Sequence, residues 1–158
     1  MPQQTPSGKN QNISINRKVR YNYQILETYE AGLVLTGTEI KSIRSGNANL
    51  SDSYAHANNG ELWLRNLHIS RYTAAAESNH TPTRTRKLLL HRSEILYITR
   101  QINAKGLTVV PLRLYLRNGL AKIELGLARG KKRHDKRQLI IERDRRREAD
   151  RAIKNRRV

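Results

Sequence analysis

Between Ile13 and Ala128 apolar residues mostly alternate with polar ones, and in two places the period lengthens to three or four. The stretch "TYEAGLVLTG" (28–37) alternates and predicts a strand. "TEIKSIRSG" follows, with Thr38 as a cap, Ile40 and Ile43 three apart and Gly46 as a stop, and predicts a short helix. "SDSYAHANNGELWLRNLHIS" predicts a hairpin that turns at Asn58-Asn59-Gly60. "RYTAAAESNHTPTRTR" has no period and reads as a long loop. "HRSEILYITRQINAKG" predicts a helix capped by Ser93, with Ile95, Ile98 and Ile102 on one face and Gly106 at its end. "LTVVPLRLYLRNGLAKIELGLA" predicts a hairpin around a type I′ Asn118-Gly119 turn. Pro111 has no amide donor, so its strand is expected to be an edge or to bulge there.

Short strands with two interspersed helices favour a mainly β, α+β domain built as a small closed or partly closed antiparallel barrel, because an open sheet of this size exposes its edges. Residues 1–12 are polar and hold two prolines, and are expected to be disordered. The barrel domain is placed at 13–128, and 129–158 reads as a basic C-terminal tail.

Composition sharpens this picture. The chain has 158 residues, 37% of them hydrophobic, with no Phe and one Trp, enough for one modest core. With no cysteine, disulfides and thiolate metal sites are excluded. No long apolar run or secretory leader is legible, so the chain is read as cytoplasmic, with no membrane partner. The net charge is +18, which favours an extended polyanion as partner, nucleic acid first. The tail alone carries 14 Lys/Arg against 5 Asp/Glu, half of the excess. Its apolar stripe (Ile141, Ala149, Ala152, Ile153) is broken, so the tail is expected to be disordered when free and helical when bound.

No catalytic constellation stands out. The five histidines are scattered without metal-ligand spacing, and neither a metal nor another cofactor is expected. Glu30, Glu39 and Asp52 offer acid–base chemistry on paper, but read better as strand-end and cap carboxylates, so the chain is not read as an enzyme. Basic groups interleave with aromatics in "NRKVRYNY", where Arg17 and Lys18 precede Tyr21, and cluster in "TRTRK" as Arg84, Arg86 and Lys87. Each patch alone reads as a solvated face; together with the tail they favour RNA or DNA, with cations on phosphates and rings on unpaired bases.

Several blocks carry a closer likeness. "YEAGLVLTGTEIKSIRSGNANLSDSYA", "TPTRTRKLLL", "GLTVVPLRLYLRNGLAKIELGLARGKKRHDKR" and the basic tail resemble the small protein B family, the SsrA-binding proteins of bacteria. The resemblance implies an oligonucleotide-binding-like closed barrel with about three short helices. It implies binding to the tRNA-like domain of transfer-messenger RNA and delivery of that RNA to stalled ribosomes for trans-translation. The tail would then occupy the decoding site of the 16S rRNA and the empty mRNA channel. A monomer binding one RNA is expected. The other readings are a structural ribosomal protein or a general barrel-type RNA-binding protein. Carried over by motif, the RNA contacts are Asn16, Glu30, Leu89 and Lys122. Leu89 would act by packing, and Glu30 by accepting from a base, a 2′-OH or a nearby Arg. In the tail, Gly130, Lys131, Lys132, Arg133, His134, Asp135, Lys136 and Arg137 carry the family's basic signature, and Ile153 lies on the stripe. Tyr21 stands where many members have His, Val19 where Ala is usual, and Thr81 where Asp is usual.

Overall fold

The computed structural model describes residues 10–75, 78–131 and 133–156. In chain order the elements are β1 (Gln11–Ile15), α1 (Val19–Asn22), β2 (Tyr23–Leu33), α2 (Gly37–Arg44), β3 (Ala48–Asn49), β4 (Tyr54–Asn58), β5 (Glu61–Arg65), β6 (His68–Ile69), β7 (Arg86–Leu89), α3 (Arg92–Lys105), β8 (Thr108–Arg117), β9 (Leu120–Gly130) and α4 (Arg133–Arg156). The chain is therefore mainly β with four helices among the described residues, rather than about three. Residues 1–9 of the expected disordered N-terminus lie outside the described residues, and β1 takes up Gln11 and Asn12.

One sheet holds seven strands in the order β1-β8-β4-β5-β7-β2-β9, and β9 pairs again with β8. Every pairing is antiparallel. β4 meets β8 through one pair, Ala55↔Val109, whereas β8 pairs with β9 from Thr108↔Ala128 to Arg117↔Leu120. A separate ribbon joins β3 to β6. Both hairpins turn on two residues at positive φ, Asn59-Gly60 and Asn118-Gly119, as a type I′ turn requires.

Alternation puts one side of each strand into the core. Ala31, Leu62, Leu64, Leu88, Leu114, Ile123 and Leu125 are buried together, and Ile43 of α2 and Ile98 of α3 close the same cluster. Pro111 does sit at a bulge, since the β8–β9 register shifts between Pro111 and Arg113. The bulge is stapled by Asn16, whose Nδ2 donates to the Pro111 carbonyl at 3.1 Å and whose amide donates to Leu112 at 2.8 Å. On the opposite side of the hairpin from the core, Val110, Leu112 and Ala128 form a second small cluster, covered by Val19 of α1 with Tyr23 and Ile25 against it. Gly126 is needed there, since a Cβ would lie 3.2 Å from Ile25 and 3.3 Å from Leu112.

Both core helices are capped two residues earlier than expected. Thr36, not Thr38, caps α2, and its amide donates to the Glu39 carboxylate at 3.0 Å. His91, not Ser93, precedes α3. In each case the residue before the cap (Leu35, Leu90) and the one four after it (Ile40, Ile95) pack against the core, the two positions of a hydrophobic staple, and α2 adds a capping box between Thr36 and Glu39. Gly106 ends α3 at φ 62, as expected.

A candidate nucleic-acid interface

The residues expected to meet RNA fall into three groups. The first lies on the outer face of β7, β2, β9 and β8. Gly32 is in register with Leu89 on one side and Lys122 on the other, and Lys122 is in register with Tyr115. Two residues along, and therefore on the same face, Glu30 pairs with Glu124, which faces Arg113. The topology thus brings Leu89, Lys122 and Glu30 together. Leu89 is half exposed although apolar, and Lys122 has no ion pair with a described residue.

Glu30 is held rather than loose. Arg117 Nη1 donates to its Oε2 at 2.9 Å, and the Tyr115 hydroxyl donates to the same oxygen. Burial, then the bond to Glu30, pushes the Tyr115 phenol above its ordinary value, so it remains a proton donor at neutral pH. Arg113 donates to Glu124 at 2.6 Å and to Asn12 at 3.1 Å, and its guanidinium stacks 4.4 Å from the Tyr115 ring centre. Arg113, Tyr115 and Arg117 were not singled out in the sequence, where "PLRLYLR" reads only as an alternating strand. Their outward parity was the available signal.

The second group surrounds α1. Arg17 and Tyr21, with Arg20, line a cleft of about 620 Å³ whose other wall is α4, through Leu139, Ile140, Glu142, Arg143 and Arg146. Lys18 precedes α1 and is exposed. Gly130 ends β9 opposite Tyr23, and Lys131 fastens the junction by donating from its amide to Asn22 and from Nζ to Arg20, both at 2.9 Å. Lys132 lies outside the described residues. Arg133, His134, Asp135 and Lys136 form the first turn of α4, Arg137 is exposed in its second, and Ile153 sits near its end, half exposed.

The third group departs from expectation. Arg86 is fully buried and cannot reach a phosphate. It forms an ion pair with Glu39 and donates to the Leu67 carbonyl at 2.6 Å and to Pro82 at 3.0 Å. Arg84 reaches the same carboxylate at 2.5 Å. Burial alone raises the Glu39 pKa, but the Thr36 amide and the two guanidiniums outweigh it and hold the carboxyl below its ordinary value. Lys87 is paired with Glu61 at 2.8 Å. In "TRTRK" Arg86 is thus an internal brace, while Arg84 and Lys87 stay more than a third exposed, since a charge run next to an apolar strand alternates inward as well as outward.

Among the described residues there is no group of three or more His, Asp or Glu able to hold a metal, and no helix is long and apolar enough to cross a membrane.

Taken together, fold and site define a small antiparallel β protein that displays cations, held carboxylates and exposed apolar groups on the outside of its sheet. The family model described as SmpB protein matches residues 13–155. The SsrA-binding protein of Thermosynechococcus vestitus is 57% identical over 145 residues, covering 91% of this chain and 95% of its own length. That of Synechococcus sp. (strain JA-3-3Ab) is 59% identical over 142 residues, covering 89% and 92%. A solved chain from the structure "tmRNA-SmpB: a journey to the center of the bacterial ribosome" matches with a TM-score of 0.63 and 46% identity, over 80% of this chain and 92% of that one. The chain belongs to the SmpB family of SsrA-binding proteins.

Proposed function

We propose that this protein binds the tRNA-like domain of transfer-messenger RNA and brings it to stalled ribosomes for trans-translation. The observation that carries the reading is the juxtaposition of Leu89, Lys122 and Glu30 on one outer face of the sheet, in a chain of this family. In this reading the face holds RNA and the protein acts as an adaptor. Lys122 supplies a phosphate contact, and Glu30, pinned by Arg117 and Tyr115, accepts from a base edge or a 2′-OH. The sheet works as a closed barrel, and the pairing of β8 with both β4 and β9 supports that reading. One copy serves one RNA, in the cytoplasm.

The C-terminal segment is the ribosome-facing part. In solution it is disordered, and along the RNA walls of the decoding site and the mRNA channel it adopts the helix seen as α4. Its apolar groups support this: Ile140, Ile141 and Ile153 all remain exposed, so the helix buries little of its own stripe. Asn16 acts on RNA indirectly, by fastening the segment that carries Arg17, Lys18 and Tyr21.

The test is the salt dependence of binding to the isolated tRNA-like domain. Wild type should show a steep log–log slope, and Lys122→Ala should flatten it by about 0.7–0.9, one phosphate contact. An unchanged slope with unchanged affinity would remove Lys122, and with it this face, from the interface.

A further inference from the structure

Two glycines of the sheet have different reasons to be glycine. Gly126 is required by the fold, because a Cβ would press on Ile25 and Leu112 at 3.2–3.3 Å. Gly32 is not. Its φ lies outside the left-handed region, and a Cβ there would meet only the Leu89 side chain, at 3.4 Å and beyond, an ordinary contact. No register shift occurs at Gly32 either, since the irregularity of β2 lies between Ile25 and Glu27. A glycine inside a strand weakens it, and where no bend, bulge or internal neighbour calls for one, the remaining reason is close approach from outside.

The outside of Gly32 is a groove of about 400 Å³. Its apolar walls include Leu89 and Leu120, which are 49% and 62% exposed, together with Leu33, Leu35 and Ile40, so the exposed leucines belong to one apolar patch. Its rim carries Lys122 and Arg44, neither of which has an ion pair with a described residue. Arg44 is steadied over the β8–β9 turn by a 3.4 Å bond to the Gly119 carbonyl. A backbone floor, aliphatic walls and two cations at the lip are the complement of a single unstacked nucleotide: an apolar base face joined to a phosphate.

We propose that Gly32 is the floor of a pocket for one unpaired nucleotide of the bound RNA. The base lies flat on the Gly32 peptide between Leu89 and Leu120, and its phosphate meets Lys122 and Arg44. This rests on the RNA-binding reading above. It adds Gly32, Leu120 and Arg44 to the interface, and it makes Gly32 a specificity-determining position, since any side chain there occupies the space of the base.

The experiment uses full-length Gly32→Val, with Gly37→Ala as control because a Cβ at Gly37 meets nothing within 4 Å. Valine suits a strand, and its Cβ meets only the flexible Leu89 side chain at ordinary contact distance, so thermal unfolding should show Gly32→Val about as stable as wild type. Affinity for the tRNA-like domain should fall about tenfold or more, the worth of one stacked base, while the control binds normally. Each unpaired loop nucleotide of the RNA is then made abasic in turn. One abasic RNA should lose as much affinity for wild type as Gly32→Val does, with no further loss when the two are combined. Failure of wild type to bind the domain would sink the functional reading itself. Binding by wild type with undiminished binding by folded Gly32→Val, or losses that add for every abasic position, would overturn the pocket and leave that reading standing.

Discussion

Glu39 shows how one residue can serve structure at several levels. As the third residue of α2 it accepts from the Thr36 amide, and as the partner of Arg86 and Arg84 it ties α2 to β7 and to the loop before it. Removing one member of a buried pair strands the other, at about 3–5 kcal/mol. Glu39→Gln should therefore lower unfolding stability by an amount of that order at pH 7. Its folded pKa lies below the unfolded value of about 4.3, so its contribution is present above that value and is lost as pH falls through the folded one. The gap between wild type and Glu39→Gln in urea titrations should thus narrow from pH 6 to pH 3. A gap that is constant with pH would mean the carboxylate charge is not what matters. The sequence offered Glu39 as a cap carboxylate, which it is, but not as the partner of two arginines. Neither it nor Arg86 carries a local sign of burial, because the pairing spans 47 residues and exists only once β7 lies beside α2.

At the scale of elements the signals were local where the structure is local. Asn-Gly turns, the αL glycine after α3 and the missing amide of Pro111 each act within a few residues, and each appears where the sequence placed it. The helix starts were displaced because a staple needs the residue before the cap. The shared pattern Leu-x-x-x-Glu-Ile at 35–40 and 90–95 was the sign of it. α1 was not legible: its four residues are held by Val19 entering a cluster made by β8 and β9 and by bonds from Lys131. The tail boundary moves for the same reason, since Arg129 and Gly130 still pair with β2. A chain ending after Lys131 should keep the sheet folded and bind the tRNA-like domain, yet fail to support tagging on stalled ribosomes. Arg147→Pro, in the middle of α4, costs that helix about 3 kcal/mol. It should reproduce the truncation: near-normal RNA affinity with tagging reduced at least tenfold. Near-normal tagging by Arg147→Pro would mean that the tail works as a plain polycation.

For the whole molecule, the net charge of +18 pointed to a polyanion but not to which one. Selectivity has to come from the face on which Leu89, Gly32, Lys122 and the held Glu30 converge across three strands, a convergence set by register and invisible in any one stretch of sequence. Phosphate contacts alone would bind every RNA of similar size nearly equally, whereas base and 2′-OH contacts discriminate. The decisive measurement is competition at about 0.15 M salt between the tRNA-like domain of transfer-messenger RNA and an elongator tRNA of similar length for the full-length protein. The predicted result is a preference of at least about 100-fold for the tRNA-like domain, falling toward unity when Leu89 and Glu30 are both replaced by alanine. Equal binding of the two RNAs by the wild-type protein would contradict the central claim.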